Sequence, residues 1–481
     1  MNYNATYINA RHINRRVSTR KVSQTSLLIG FLCLCAVSII PLLFGNDWTK
    51  DYGYVVLLVY SAIGTLILAK YRNFTAFVTP ASIVFLYISL SMTIGAWGHS
   101  VGAVLLRQQY LDYLSLQRTD EALALFMFTL ALLVPASRLI GSRANLECTP
   151  IQFPKKPLYL SIVVLSPFLL FDVDLAVLGG SGTLNSIPKA LISISAILLF
   201  ANMRGGQRYF LYLLLIALIS SISAFNKREA IFLIFVILFL EAHNGRLKLS
   251  FSLALKALLA IISVVTLILW MSIFRGYGSY DVDSFLSAFN YIYPYLTSEQ
   301  FLASFLFNIE ANYFYFHAIN SIELVLSYPE FIELGRTIVK FLFLPIPRDI
   351  FPWKPDSAIH LYTLAYDPAY RALGGSWPIN LISEFIWNFW LLAPLATGFL
   401  AWLFAKLESA MVSCRLKQNS LMMIFFLFIY MNTVTLARGS GFDQYVFELL
   451  TAYSFILLIR IAASALRLFP TTNAHPRIFA K

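Results

Sequence analysis

Apolar residues run through this chain in long blocks, with polar residues confined to the intervals between them. A helix crossing the hydrocarbon core needs about 20 predominantly apolar residues, with tolerance for tilt. Runs of that kind recur near 26–44, 53–69, 74–97, 120–141, 157–178, 184–202, 208–225, 229–242, 249–273, 378–405, 420–437 and 445–468. Gly and Pro sit inside many of them, as is usual in membrane helices. The pattern predicts an all-α, polytopic integral membrane protein of about twelve spans. It divides into an N-terminal tail (1–25), nine spans (26–273), a long outer segment (274–377), three more spans (378–468) and a C-terminal tail (469–481). Asp172 and Asp174 close the fifth run and Lys189 lies within the sixth, so that pair is expected to be distorted or partly re-entrant.

Composition narrows the class. Of 481 residues, 59% are hydrophobic and 12% charged, against about 25% charged in a soluble protein. The chain lacks the charge to dress a soluble surface. Its net charge of +12 is spread over short loops with no basic domain, which speaks against nucleic acid and for the positive-inside rule. With the N-terminus inside, Arg11, Arg15, Arg16, Arg20, Lys70, Arg72, Arg138, Arg143, Lys155, Lys156, Arg204, Arg208, Arg246, Lys248, Arg415, Lys417 and Arg467 all fall on the cytoplasmic side. Twelve spans return the C-terminus there too. The first apolar run, from Ser26 to Phe44, has no convincing small-residue cleavage site and is read as a retained span. Cys33, Cys35, Cys148 and Cys414 form no disulfide framework and are read as packing residues.

Three outward places are basic despite the rule. Lys227 and Arg228 stand in a tight turn, Arg438 in another, and the long segment holds Arg275, Arg336, Lys340, Arg348, Lys354 and Arg371. Long loops cross regardless of charge, which permits these cations without explaining them. An anionic ligand would explain them; snorkelling to outer headgroups is the plainer alternative for Lys227 and Arg228.

The long outer segment is rich in Tyr, Phe, Leu and Pro. Ser298 to Ser327 has helical periodicity but carries Glu299, Asn308, Glu310, Asn312, His317, Asn320 and Glu323, too many polar groups for a lipid-facing span. An interfacial or re-entrant amphipathic helix is expected, with Glu310 and His317 on one face. Phe343 to Pro355 holds four prolines in thirteen residues, which preclude a regular helix and favour extended backbone. Arg348, Asp349, Trp353 and Lys354 on this strip could contact a sugar phosphate, or the strip could be a strap over the helices. Farther on come His360, Arg371, the turn Gly374 to Pro378, and Glu384 about one turn inside the next span. An acidic group at that depth should face protein or a wet cavity.

These residues resemble the oligosaccharide repeat unit polymerases, the Wzy-type O-antigen polymerase family. The resemblance rests on Pro-x-x-x-x-Pro-x-Lys-Pro from Pro347 to Pro355, the turn Gly374-Gly-Ser-Trp-Pro378, and Ser383-Glu-Phe-Ile-Trp-Asn-Phe389. Lys227-Arg228 in its outer turn, Arg275 leaving a span, and Arg107 ahead of Tyr110-Leu-Asp-Tyr113 fit the same plan. Phe389-Trp390 stands where a Phe-Gly pair is common in that family. The resemblance implies a GT-C-like glycosyltransferase of the bacterial inner membrane, with one large periplasmic loop. Such an enzyme moves a growing glycan from undecaprenyl diphosphate to the next lipid-linked repeat unit, without metal or nucleotide. A flippase supplies the units and a chain-length-regulating copolymerase is the usual partner.

Cleaving a glycosyl–diphosphate bond develops negative charge that preorganised cations stabilise. Arg228, Arg275, Arg348 and Arg438 are the first candidates for that role, with Lys227, Lys354 and Arg371 next. The acceptor hydroxyl needs a base: Glu384 or His360, with Glu310 and His317 behind them. The competing readings are an O-antigen ligase, which would deliver glycan to lipid A core, and a polysaccharide flippase or transporter. Against transport, no internal repeat is evident and the unusual charges cluster toward one side.

Overall fold

The computed structural model describes residues 24–71, 74–102, 107–140, 152–170, 186–203, 205–222 and 227–247, scattered residues and short stretches of 255–298, and 301–466 apart from 309, 345 and 347–349. Among the described residues every regular element is a helix. In chain order the principal ones are α1 (Gln24–Phe44), α2 (Asn46–Ala69), α3 (Pro80–Ser100), α4 (Arg107–Ser115), α5 (Thr119–Ala131), α6 (Leu133–Ile140), α7 (Lys155–Leu170), α8 (Ser186–Ala201), α9 (Gly205–Ile222) and α10 (Lys227–His243). They continue with α11 (Phe301–Asn308), α12 (Ala311–Ser327), α13 (Ala358–Tyr366), α14 (Leu381–Phe389), α15 (Ala393–Leu416), α16 (Ser420–Arg438) and α17 (Phe442–Ala465). Six stretches among the described residues are long and apolar enough to cross a membrane: α1, α2, α3, Leu381–Leu416, α16 and α17. Shorter apolar helices lie at Ser186–Ala201, Gly205–Ile219 and Ile231–His243. The chain has the build of a helical membrane protein. Leu28, Leu32 and Leu43 on α1 and Phe210, Leu213 and Leu214 on α9 are exposed, as lipid-facing stripes would be.

Local chemistry sets where the helices begin. Thr79 Oγ1 accepts the Ser82 N–H at 3.3 Å ahead of Pro80, and Asn380 Oδ1 accepts the Ser383 N–H at 3.0 Å. Such side-chain acceptors satisfy N–H groups that a first turn leaves unpaired. Two predicted runs are interrupted. The 120–141 run divides at Leu132 into α5 and α6, and the 378–405 run divides between α14 and α15. At the second break Trp390 has φ 48° and ψ −125°, a conformation natural to glycine and strained for other residues.

The helices pack around two apolar cores. One joins α1, α2, α3, α5, α6, α12, α14 and α15, and the other joins α7, α8, α9, α10, α16 and α17. α16 contributes to both, with Leu436 and Ala437 in the first and Leu421 to Val434 in the second. α12 packs against α3, α5 and α14. Gly95 permits that approach, since a Cβ there would lie 2.3 Å from the Ala311 carbonyl oxygen. The polar groups that argued against a lipid-facing helix are satisfied by protein. Glu323 accepts the Gln117 and Arg118 N–H groups at 2.7 and 3.1 Å, and Asn320 donates to the Tyr362 hydroxyl at 3.0 Å.

The bundle has two unlike ends. At the short-loop end, Asn202 bonds Phe153, Ser420 bonds the Pro154 carbonyl, and Arg415 donates to the His243 carbonyl. At the capped end, Asn46 bonds Leu116 and Thr119, and Tyr366 donates to Asp112 Oδ2 at 2.6 Å. Each end gathers segments that the alternation of spans assigns to one side.

Candidate functional site

The site is organised by the reverse turn between α16 and α17. α16 ends in Arg438, and Gly439 follows at φ 104°. A Cβ at Gly439 would sit 1.9 Å from the Ile379 carbonyl oxygen, so this residue must be glycine on two counts: conformation and space. The turn is also held from beneath. The Phe442 N–H donates to both oxygens of the buried Glu384 carboxylate, each at 3.1 Å. Glu384 thus fixes the turn that carries Arg438 and Asp443. It is not among the residues lining the cavity described next.

That cavity has a volume of about 730 Å³. Part of its lining is apolar and comes from four helices: Ile187 and Ala190 of α8, Ile219 of α9, Phe232 and Leu233 of α10, Phe428 and Met431 of α16. Basic and polar side chains share the lining: Lys189, Lys340, His360 and Arg438, with Ser357, Ser376 and Ser440. Asp443, Gln444 and Glu448 of α17 complete it. Several of these charges are paired. Lys340 Nζ lies 3.0 Å from Asp443 Oδ2, both side chains under one-tenth exposed. Arg438 Nε donates to Glu310 Oε2 at 2.8 Å. Glu310 itself has φ 62° at the start of α12. Gln444 donates its amide to Glu448 Oε1 at 3.2 Å.

His360 sits in the first turn of α13, where its N–H reaches the Ser357 hydroxyl at 3.4 Å. Arg371 Nη2 lies 3.2 Å from His360 Nδ1, while Arg371 Nη1 donates to the Gly375 carbonyl at 3.4 Å. Asp356 Oδ1 is 3.7 Å from the same ring nitrogen. Arg371, a ligand contact expected from sequence, lies beside His360 and is not among the residues lining this cavity.

The other sequence candidates divide. Arg438 and His360 come together on one wall. Lys354 does not join them: its ammonium donates to the Leu344 and Ile346 carbonyls at 3.0 and 3.1 Å, closing the proline-rich strip on itself. Phe343 and Phe351 stack across that strip at 5.2 Å, and none of its described residues lines the cavity. Glu310 and His317 do not act as a pair, because Glu310 meets Arg438 while His317 Nδ1 meets the Tyr362 hydroxyl at 2.7 Å. His317 also stacks on Trp377 at 4.7 Å. Burial pushes its ring down to about 3, leaving it neutral. Arg275 and Arg348 lie outside the described residues, as do the side chains of Lys227 and Arg228. Phe232, which lines the cavity, follows Arg228 by four residues on α10.

Sequence reasoning does not select Lys189, Lys340, Asp443 or Glu448 as site residues. A signal exists for two of them. Lys189 and Glu448 are charges inside apolar runs, the same anomaly that singles out Glu384. Among the described residues no group of three His, Cys, Asp or Glu side chains is placed to hold a metal ion. The arrangement can do three things chemically: seat an apolar chain, bind an anion above it, and place a carboxylate and an imidazole nearby. No protein-family model matches the chain, and no characterised protein or solved structure was found to be similar to it.

Proposed function

We propose that this chain is a Wzy-type polymerase of undecaprenyl-diphosphate-linked oligosaccharide repeat units. On this reading it lies in the bacterial inner membrane with about twelve spans, a GT-C-like architecture and both termini in the cytoplasm. Its capped end then faces the periplasm. The observation that carries the reading is the double character of one cavity: apolar side chains of α8, α9, α10 and α16 share its lining with Lys189, Lys340, His360 and Arg438. A polyprenyl diphosphate has the same two parts, an apolar chain and a charged group. A cavity of about 730 Å³ also falls within the usual range for ligand sites, roughly 300–1,000 Å³.

The reaction follows from the charges. The acceptor sugar's hydroxyl oxygen bonds to the anomeric carbon as the bond from that carbon to the diphosphate oxygen breaks. The bonding electron pair stays on the diphosphate. Arg438, Lys340 and Lys189 stabilise the charge that develops there, in a poorly hydrated place where preorganised cations act strongly. Lys227, Arg228, Arg275 and Arg348 are proposed to join them. The hydroxyl proton passes to a carboxylate of the cavity wall, and Glu448 is the one we assign. Glu384 acts through the turn it holds, as a positioning residue. The expected partners are the lipid-linked oligosaccharide, membrane lipid and a chain-length-regulating copolymerase. No cofactor is invoked.

Gel analysis of lipopolysaccharide from a deletion strain tests the reading. Single repeat units on lipid A core are expected. Long polymer left on the carrier lipid would mean a ligase, and loss of all surface glycan would point to transport. Complementation with Arg438→Ala, Arg228→Ala or Arg275→Ala should leave single units while the protein still inserts. Lys replacements should restore activity only in part, since a point charge replaces a bidentate fork.

A further inference from the structure

Imidazole can serve a glycosyl transfer in two opposite ways. It can take the acceptor's proton through a free lone pair, or it can keep its own proton and donate a hydrogen bond to the departing phosphate. Which nitrogen carries the ring proton decides between them.

The contact with Arg371 fixes this at His360. A guanidinium offers only N–H donors and does not lose its proton in proteins. Its Nη2 lies 3.2 Å from His360 Nδ1, so Nδ1 must supply the lone pair. Asp356 Oδ1, at 3.7 Å from that nitrogen, is beyond hydrogen-bond distance. The proton of the neutral ring therefore sits on Nε2. Arg371 is itself held by the Gly375 carbonyl, within the turn where Gly374 has φ 83°. His360 is held through its own backbone by Ser357. The ring thus has a fixed place, a fixed tautomer and a share of the cavity wall with Arg438 and Lys340.

We infer that His360 is a hydrogen-bond donor to the diphosphate, and that Arg371 is the positioning residue that makes it one. The inference rests on the polymerase reading above. It also changes the division of labour expected from sequence, where His360 stands as a base and Arg371 as a phosphate ligand. In the transfer step His360 gives up no proton and gains none. The acceptor's proton goes to the Glu448 carboxylate, the electron pair goes to the diphosphate, and the hydrogen bond from Nε2–H to the phosphate oxygen shortens as charge builds there.

Glutamine and asparagine separate the two roles. In His360→Gln the side-chain amide would reach about as far as Nε2 and donate there without being a base; in His360→Asn the shorter amide would fall near Nδ1. The assay uses full-length protein in nanodiscs, with a synthetic undecaprenyl-diphosphate-linked repeat unit for transfer and undecaprenyl diphosphate alone for binding. His360→Gln should transfer within about tenfold of wild type. His360→Asn and His360→Ala should lose on the order of 10²–10³, as when an oxyanion donor is removed. Arg371→Met should slow the wild-type protein yet add little to His360→Gln, because glutamine has no tautomer to set. If His360→Gln is as inactive as His360→Ala while both bind undecaprenyl diphosphate normally, His360 is the base and the inference is overturned. Additive losses from Arg371→Met and His360→Gln would overturn the positioning role. Failure of the wild-type protein to bind the lipid diphosphate would instead sink the reading beneath both.

Discussion

Both ends of the bundle pair arginine with glutamate, and they do so to different effect. At the short-loop end Glu241 is 2% exposed and meets Arg208 at 3.2 Å and Arg246 at 2.8 Å. Tyr209 and Tyr212 also donate to it. Nearby, the buried Arg415 guanidinium is spent on the His243 carbonyl. None of these residues lines the cavity. At the capped end Arg438 meets Glu310 with both side chains at least a quarter exposed, and Arg438 faces the cavity. A cation near the end of a span is therefore not in itself a sign of a ligand. What distinguishes the capped end is a hollow beside the charge.

Substitutions can break this contrast, and the largest effect is expected at the closed cluster. Glu241→Ala leaves two guanidiniums without their shared carboxylate, and losing one partner of a buried pair costs about 3–5 kcal/mol. Purified yield and melting temperature should both fall, with any residual folded protein still active. Normal melting would show that the cluster is not closed after all. Arg438→Ala should do the reverse, since a pair this exposed contributes about 0–1 kcal/mol to folding. Transfer should fall on the order of 10²–10³ if the guanidinium faces the developing charge, while melting stays near wild type. A variant that melts early but turns over normally would place Arg438 with the structural arginines.

Gly439→Ala probes the turn itself. The clash with Ile379 and the conformation at φ 104° should lower stability by about 1–3 kcal/mol and activity with it, through displaced Arg438 and Asp443. Unchanged activity would mean the turn does not aim the site. The smallest effect is expected at Trp390. Glycine relieves φ 48° and alanine does not, so Trp390→Gly should melt above Trp390→Ala by an amount worth about 1 kcal/mol. The opposite order would remove strain as the reason for the break.

Six of the predicted runs were legible as helices long and apolar enough to cross a membrane, because apolar length is a local property. Interruptions within runs were not, because Leu132 and Trp390 look like ordinary members of an apolar run. At Trp390 the positive φ, which only the folded backbone reveals, accompanies the break. Arg438 was legible as a basic residue in a tight turn between two apolar runs, and His360 as an imidazole in the long segment before the tenth. Asp443 was not, since it falls between two apolar runs and reads as a loop residue until the α16–α17 turn brings it to Lys340. Lys340 is one of six basic residues in the outer segment, and only long-range packing separates it from Lys354. Glu384 was legible as an acidic group that should face protein, but its partner is a backbone N–H fifty-eight residues away, which no spacing reveals.

The modest size of the hollow has a further meaning. About 730 Å³ accommodates a drug-sized guest, enough for a diphosphate and the sugars at the junction, and far too little for a string of repeats. On the proposed reading most of the product hangs outside, untouched by these walls. On that reading, a hollow that grips only the splice cannot itself count what has already been spliced.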